Sequence, residues 1–538
     1  MHNRIIRFLA IGAMLAATGS AACFVEELPP APPEPPTGES AESLTVPIEP
    51  RRSLAVTEEE IVRHFPLVDV LQQLITQSGA PTTPTALFNQ WFDTFNDQSS
   101  GVVPWSPHCD DELTSGVASF NQFPWDCPRA EGTEAHTDPF DDSRKPDGYI
   151  PIGLFNRFDL APRSGETCGE YRIVYARESG VPEFGGDSRN LLIFEAVLPN
   201  PHPECGIEAC RPVAEFWSDL TATDDVEARA KRLREFYFDG LPGFKPVVHI
   251  DHYGANLSSG GYGNSMGQIR TNSFIDRKWM LREFKLVNDC RCKEDARVSC
   301  RLAMLPITTK ANPYPELWSS SFGDPRQPAF QSSLAAQVPS LAVADINAFT
   351  YDAGDTFNSG QSIAQGGFPD SNDYVAFMDP SFHNDVQTAL TGIGSSLLPE
   401  HIADRATALS CGGCHELSNG RDLGDGITWP SSRRFVHVDE STGLEPGPDG
   451  PRWPISQALT DVFLPFRQKL LESFLTSRPR MCDERTDPVD SRKLLPLNCR
   501  DRRVVEEVRS GRLLVTEEDL TKLELTIREK PLNRHSVH

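Results

Sequence analysis

Two cysteines and a histidine lie close together in the segment Cys411-Gly412-Gly413-Cys414-His415. The thiols are three positions apart, and the imidazole follows the second thiol directly. Two thiols at this spacing can close a disulfide, bind a metal or bond to one organic group. The adjacent imidazole adds a nitrogen that can coordinate a metal. The segment is therefore the first place in the chain to expect chemistry.

The pattern C-x-x-C-H is the attachment site of a c-type haem. The two sulfurs of such a site form thioethers with the porphyrin, and the histidine gives the iron its proximal nitrogen. We therefore predict one haem c, bound covalently through Cys411 and Cys414, with His415 as an axial ligand of the iron. Gly412 and Gly413 suit a backbone that passes close to a flat macrocycle.

Other interpretations of the two cysteines stay open at this point. They can form a disulfide or half of a zinc site, although the chain has no second C-x-x-C and no H-x-x-x-H at zinc spacing. A thioredoxin-like redox pair would follow a strand. Residues 399–410 instead predict a helix that leads into the motif, with Pro399 in its first turn.

The sixth ligand of the iron would decide what a bound haem does. Met481 is the only methionine after the motif and lies 66 residues beyond His415. His437 lies 22 residues beyond His415, in an apolar, strand-like setting. A methionine ligand raises the reduction potential and a histidine ligand lowers it, whereas an empty site admits peroxide or a gas. The sequence leaves all three possibilities open.

Residues 340–481 resemble a cytochrome c domain in outline. A helix runs into C-x-x-C-H, a long loop follows, and Ser456 caps a long amphipathic helix that Pro465 kinks or divides. Only the haem motif is specific, and the resemblance covers about a quarter of the chain. It implies an α-helical haem domain that transfers single electrons.

The N-terminus predicts export, which haem attachment of this kind requires. Arg4 and Arg7 precede an apolar run, and small residues follow up to Ala22, as in a cleavable signal peptide. The segment Ser20-Ala21-Ala22-Cys23 resembles a bacterial lipobox, which makes Cys23 a candidate for lipidation. Ser20 departs from the pattern, so a freely exported protein is the alternative. We expect the periplasm or the cell envelope as the location.

The remaining ten cysteines also favour an oxidising compartment. Their number is even, so up to five disulfides are expected, with a connectivity that the sequence does not reveal. Cys205 and Cys210 are close enough in sequence to close a small loop. The ten are Cys109, Cys127, Cys168, Cys205, Cys210, Cys290, Cys292, Cys300, Cys482 and Cys499.

The formal net charge of −25 argues against nucleic acid or an anionic membrane surface as a partner. A basic electron-transfer protein remains compatible with this charge. We therefore expect a redox partner protein, no nucleic acid, and a membrane only through a lipid on Cys23.

The middle of the chain is β-rich and has to position the haem segment. Apolar and β-branched runs predict strands, and the continuous apolar run at 190–198 is typical of a central strand. One helix, Asp224 to Phe238, interrupts them. We expect an antiparallel sandwich or a jelly-roll-like sheet. The predicted strands cover residues 171–177, 190–198, 245–253, 278–287 and 301–307.

The predicted fold class is multidomain α+β, with a β-rich central domain followed by an α-helical cytochrome c-like domain. The 538 residues leave room for several domains. The predicted segments are a signal peptide (1–22), a Pro-rich disordered tether (23–55), a helical and irregular Cys-containing region (56–148), the β-rich domain (149–339), the cytochrome c-like haem domain (340–481) and a C-terminal helical tail (482–538).

Three classes of function follow from these patterns. The first is an exported mono-haem c-type cytochrome-like protein that passes single electrons. The second is a haem-dependent oxidoreductase with an unrecognised active site in the β-rich part. The third is a surface ligand-binding lipoprotein whose haem is structural or sensory. The first leads because only the haem has a specific motif, and whether the protein is an enzyme stays open.

Overall fold

The structure is a computed structural model that carries side chains but no ligand. It describes residues 47–93, 108–109, 111–126, 130–144, 147–186, 188–254, 267–274, 278–292, 298–365 and 372–477. The predicted signal peptide, Cys23, Met481 and the C-terminal tail lie outside these residues.

One antiparallel sheet of eight strands forms the centre of the described protein. Its strand order is β1-β5-β6-β7-β8-β9-β10, and β11 pairs with β9. Two small sheets, β2-β3-β4 and β12-β13, lie apart from it. The strands are β1 (Ala55–Val56), β2 (Leu113–Thr114), β3 (Val117–Phe120), β4 (Phe123–Pro124), β5 (Tyr149–Arg157), β6 (Thr167–Arg177), β7 (Asn190–Pro199), β8 (Gln268–Ser273), β9 (Met280–Cys292), β10 (Val298–Ile307), β11 (Ser362–Ile363), β12 (Glu445–Gly447) and β13 (Gly450–Arg452).

The helices flank this sheet and are mostly short. They are α1 (Pro50–Ser53), α2 (Glu59–Val62), α3 (Leu67–Ser78), α4 (Pro84–Asn89), α5 (Arg211–Asp219), α6 (Val226–Phe238), α7 (Gln327–Ala336), α8 (Val338–Leu341), α9 (Tyr374–Phe377), α10 (Pro380–Gly392), α11 (Pro399–Leu409) and α12 (Leu464–Thr476). None of the helices in the described ranges has the length and apolar character needed to cross a bilayer.

The two faces of the sheet pack on different helices, because successive side chains of a strand point to opposite sides. On one face, the Tyr175 hydroxyl donates to the Phe65 carbonyl oxygen at 2.9 Å, and the Tyr171 ring packs 5.2 Å from the Phe236 ring of α6. On the other face, Arg172 and Val174 line a cavity below the haem motif. The same strands thus hold the N-terminal helices on one side and the C-terminal segments on the other.

The mixed α+β class is confirmed, but the expected sandwich is not what covers the sheet. Within the described residues, helices pack on one face of the sheet, and C-terminal segments that are part helix and part loop cover the other face across the cavity. Burial on both faces explains why β7 reads as a continuous apolar run rather than as an alternating one.

Several sequence predictions of single elements are confirmed by the structure. These are the strands at 171–177, 190–198 and 301–307, which fall within β6, β7 and β10, the strand at 278–287, which overlaps β9, and the helix at 224–238, which corresponds to α6. The strand predicted at 245–253 is wrong, since this segment is irregular with a short 3-10 turn at Ile250–His252. Strands β5 and β8 were not predicted.

The segments on either side of residue 339 are joined in the structure. All described residues belong to one compact unit. Strand β11 pairs with β9, and the buried Arg189 donates to the Glu440 carboxylate at 2.6 and 2.9 Å. The predicted haem segment and the predicted β-rich segment therefore share a sheet and a core.

A disulfide between Cys168 and Cys210 ties β6 to the start of α5. The predicted loop between Cys205 and Cys210 is therefore wrong, because Cys210 already has a partner. Cys109, Cys205 and Cys300 are disulfide-bonded as well.

Candidate functional site

The C-x-x-C-H segment follows directly on helix α11, as predicted. Its backbone continues as a π-helical turn, Gly413–Leu417. A Cβ atom on Gly413 would clash with the carbonyl oxygen of Thr407, and one on Gly412 would lie 2.9 Å from the carbonyl oxygen of Ile363. The two glycines are therefore required by the packing of the turn on α11 and β11, whatever ligand the turn holds.

The two thiols of the motif are free and mainly buried. They are not bonded to each other, although other cysteines of the chain are in disulfides. Burial raises the pKa of Cys411 to about 12 and that of Cys414 to about 11. Both are thus protonated at neutral pH, whereas a thioredoxin-like redox cysteine needs a lowered pKa. The disulfide and redox interpretations therefore find no support in this arrangement.

A zinc site at the motif would need ligand atoms that face one another. Among the described residues, only Glu60, His64 and Glu227 place three ligand atoms within 4.8 Å of one another. Cys411 and Cys414 do not form such a group with either nearby histidine. The zinc interpretation lacks its second pair of ligands, which a structural zinc site requires.

His415 is held in a fixed orientation at the wall of the cavity. Its Nδ1 atom donates to the Phe435 carbonyl oxygen at 2.8 Å, and its ring centre lies 5.2 Å from that of Trp279. Burial lowers its pKa to about 4, so the imidazole is neutral at pH 7. A hydrogen bond through Nδ1 leaves Nε2 as the metal-binding atom, a common arrangement of ligating histidines.

His437 lies next to His415, as one of the sequence hypotheses requires. Its Nδ1 atom is 2.8 Å from the Ser456 hydroxyl oxygen, and its Nε2 atom is 3.3 Å from the sulfur of Cys414. Burial, followed by the nearby His415, lowers its pKa well below the usual value. Two neutral imidazoles thus lie side by side, with their ring centres 4.8 Å apart.

The cavity beside these histidines is walled by the sheet on one side and by C-terminal segments on the other. The cavity has a volume of about 120 Å³ and opens in part to solvent. The apolar part of its lining is Phe155, Val174, Leu191, Ile193, Leu281, Leu409, Val436, Val438, Leu459 and Phe463.

The polar part of the lining is rich in arginine. Four arginines and one glutamate face the cavity, from β5, β6, β7, β8 and α12. In the sequence they lie in separate segments, and only the sheet register brings strands β5 to β8 side by side. They are Arg157, Arg172, Glu195, Arg270 and Arg467.

These buried charges are paired mainly across neighbouring strands. Arg270 lies 2.9 Å from both Glu195 and Glu283, and Arg172 lies 2.6 Å from Glu170 and 3.1 Å from Glu195. The arginines lower the pKa of Glu195 and overcome the effect of its burial. A buried ion network of this kind is costly to disturb one charge at a time.

The structure brings together four of the six predicted site residues. Cys411, Cys414, His415 and His437 all line the cavity. The other two, Met481 and Cys23, lie outside the described residues. Residues 263–267 match the nucleophile pattern G-x-S-x-G in sequence, but strand β8 and not a helix follows them.

The donor set at the cavity fits a covalently attached haem. Two free thiols and the Nε2 atom of His415 are the groups that such attachment uses. Metal–imidazole bonds are about 2 Å long, so two imidazoles on opposite sides of one iron have ring centres about 6 Å apart. The ring centres of His415 and His437 are closer than that, at 4.8 Å. His437 would therefore have to move outward before it could bind the same iron.

No family model, no curated protein and no solved structure matches the chain.

Proposed function

We propose that the protein is an exported mono-haem c-type cytochrome-like protein that transfers single electrons. One observation carries the proposal: the two free thiols and the fixed, neutral imidazole of the C-x-x-C-H turn lie together at the wall of a cavity. In this proposal Cys411 and Cys414 hold the haem covalently, and His415 is its proximal ligand.

The surroundings of His415 favour a stable iron ligand. The Phe435 carbonyl oxygen accepts its Nδ1 proton and orients the ring. The imidazole is neutral because burial lowers its pKa, so no proton has to leave before it can bind a metal. A bound haem supplies an iron centre that accepts and donates one electron.

His437 is the sixth-ligand candidate with support from the fold. It lies beside His415, whereas Met481 is outside the described residues. A shift of its ring away from Cys414 would free Nε2 for the iron, and the Ser456 hydroxyl would keep Nδ1 oriented. The resulting site would be closed and six-coordinate, which suits electron transfer because little has to rearrange as the electron passes.

A haem-dependent oxidoreductase is the second candidate. The observation that favours it is the shared cavity, in which the predicted β-rich part contributes buried charged residues next to the C-x-x-C-H turn. Pure electron transfer does not require such a lining. In this version a small-molecule substrate would bind between the sheet and the haem.

The location and the partner follow from the haem proposal. Covalent attachment of haem c takes place after export, which agrees with the signal-peptide pattern at residues 1–22. We propose the periplasm or the cell envelope, with Cys23 as the site of a lipid anchor. The partner would be a redox protein, and the negative net charge favours a basic one.

The decisive experiment is haem analysis of the exported protein. We expect a pyridine haemochrome spectrum with one haem c per chain and haem stain that survives a denaturing gel. The variant Cys411→Ser/Cys414→Ser should lose the stain, because both thioethers are gone. Full stain in this variant would contradict covalent attachment at the motif.

A matched control changes two other cysteines. The variant Cys168→Ser/Cys210→Ser removes a disulfide away from the motif and should keep the haem stain. Mass spectrometry of the mature protein should place its first residue at Cys23 with a lipid, or nearby without one. A cytoplasmic chain with Met1 intact would contradict export and, with it, haem attachment.

A further inference from the structure

The cavity contains one buried cation that lacks a dedicated partner. Arg467 on α12 is 5% exposed and lines the cavity. Within the described part of the chain its guanidinium makes no hydrogen bond. Its closest carboxylate is that of Asp159, 3.6 Å from Nε. Burying a guanidinium in this way costs stability unless an anion or hydrogen-bond acceptor compensates it.

The Asp159 carboxylate is already engaged elsewhere. Arg157 donates to it from Nε at 3.0 and 3.2 Å and from Nη2 at 2.8 Å, which is a bidentate pair. Arg467 therefore interacts with the same carboxylate only at the longer distance of 3.6 Å. Burial, and then repulsion from Arg157, lowers the pKa of Arg467 to about 9.

Two more guanidinium groups lie at the Arg467 end of the cavity, and each is paired with a carboxylate. Arg157 and Arg172 occupy one end of the sheet face, whereas Val174, Leu191 and Ile193 occupy the other, as the strand register shows. Of the four guanidinium groups that line the cavity, the other three have carboxylates within 3.0 Å, whereas the carboxylate nearest Arg467 is 3.6 Å away. A ligand that suits the cavity has an apolar body and at least one anionic group.

We propose that Arg467, with Arg157 and Arg172, forms a binding site for a carboxylate group of a ligand in this cavity. The planar guanidinium matches a carboxylate through paired hydrogen bonds, which a lysine would not provide. Two sources supply this chemistry: the propionate side chains of the haem, or a free small carboxylate bound beside it. The inference rests on the proposed function, since the cavity is the one next to the C-x-x-C-H turn.

The first arm of the test uses a free carboxylate. Thermal unfolding of the full-length exported protein is followed in increasing sodium butyrate, against sodium chloride at equal ionic strength. A saturable rise of Tm that is present in the wild type and lost in Arg467→Gln identifies a free carboxylate as the ligand. Arg467→Lys keeps the positive charge but lacks the planar guanidinium, so its Tm should rise less with butyrate.

The second arm measures the haem directly. If the haem propionates are the ligand, butyrate has no effect on Tm. The midpoint potential of Arg467→Gln should then lie below that of the wild type, because removal of a nearby positive charge favours the ferric form. Arg467→Lys should lie close to the wild type.

Arg421→Gln is the control for charge removal, since Arg421 pairs with Asp373 and Asp404 and does not line the cavity. If Arg467→Gln does not fold, Arg157→Gln is tested by the same two measurements.

The proposal would be overturned if the Tm of the wild type did not respond to butyrate and the midpoint potential of the variant were unchanged. A haemochrome spectrum of every preparation separates this failure from failure of haem attachment, because the butyrate arm also works on haem-free protein.

Discussion

The Nε2 atom of His437 lies 3.3 Å from the sulfur of Cys414, while its Nδ1 atom contacts the Ser456 hydroxyl at 2.8 Å. The residue that we propose as the sixth ligand is therefore in contact with one of the two thiols proposed to hold the haem. Both nitrogens of its ring have partners in this arrangement. Conversion of the Cys414 thiol to a thioether removes the S–H group, which loosens the contact on the Nε2 side.

We expect the haem protein to be six-coordinate and low-spin, with His437 bound to the iron. His437→Ala should then give a high-spin spectrum that binds carbon monoxide rapidly, because the sixth position opens. Absorption and electron paramagnetic resonance spectra provide the measurement. Ser456→Ala is the matched control: it removes the Nδ1 contact but keeps the imidazole, so its spectrum should stay low-spin.

A low-spin spectrum that persists in His437→Ala would contradict this assignment. In that case Met481→Ala should abolish a weak near-infrared sulfur-to-iron band of the oxidised protein. A wild type that is already high-spin would instead favour ligand or peroxide chemistry over pure electron transfer.

Arg189 holds the loop after the haem motif against the sheet. It precedes β7 and pairs with two fully buried carboxylates, those of Glu440 and Asp439. Arg189→Met leaves the Glu440 carboxylate buried without its cation and should lower the free energy of unfolding by about 3–5 kcal/mol. Denaturant unfolding measures this change.

The double variant Arg189→Met/Glu440→Leu should recover much of that loss, since it removes both members of the pair. If the single variant loses less than about 1 kcal/mol, the pair does not anchor the loop in solution.

The disulfide between Cys168 and Cys210 should contribute substantially to stability. It closes a loop with a sequence separation of 42 residues, for which chain entropy predicts about 4 kcal/mol. We expect Cys168→Ala/Cys210→Ala to lose about 2–4 kcal/mol in guanidinium unfolding, because strain and residual structure reduce the ideal value. An unchanged unfolding midpoint would show that the pair is not bonded in the purified protein.

His252 should make the fold sensitive to acid. It is fully buried, its Nδ1 atom donates to the Val247 carbonyl oxygen at 3.1 Å, and burial followed by the nearby His249 lowers its pKa to about 3. The unfolded chain takes up this proton near pH 6.5, so the contribution of neutral His252 is present above that pH and is lost as the pH falls towards 3.

Between pH 7 and pH 5 the loss from this group should be about 2 kcal/mol. His252→Asn cannot take up a proton, so its free energy of unfolding should fall less steeply over the same interval. Parallel pH profiles for the two proteins would show that His252 titrates normally in the folded state.

Short-range patterns were sufficient to predict helix α11, helix α6 and strand β7. Pro399 marks the start of α11, and the apolar run at 190–198 is long enough to indicate a buried strand. The cysteine and histidine spacing that places three donors on one turn is equally local. Such signals need no partner elsewhere in the chain.

Strands β5 and β8 escaped prediction because Pro151 and Gly153 interrupt the apolar pattern of β5, and polar residues, Arg270 among them, interrupt that of β8. Arg270 is stable inside β8 only because Glu195 and Glu283, which lie 75 and 13 residues away in sequence, accept its hydrogen bonds. The capping-box pattern at residues 57–60 and the apolar spacing up to Ile75 predict one helix, but Pro66 separates it into α2 and α3. A long-range ion pair thus allows a charged residue inside a strand, and a stiff proline ends a helix that the apolar pattern would continue.

The sequence by itself determined which atoms could hold a haem and where the helix before them starts. Only the tertiary structure decided that Cys414 and His437 meet, that Cys210 pairs with Cys168, and that Arg467 faces the cavity with no hydrogen bond to the described residues. These relationships depend on strand register and on packing between segments that are far apart in sequence. Local propensity cannot predict them, because it reflects only neighbouring residues.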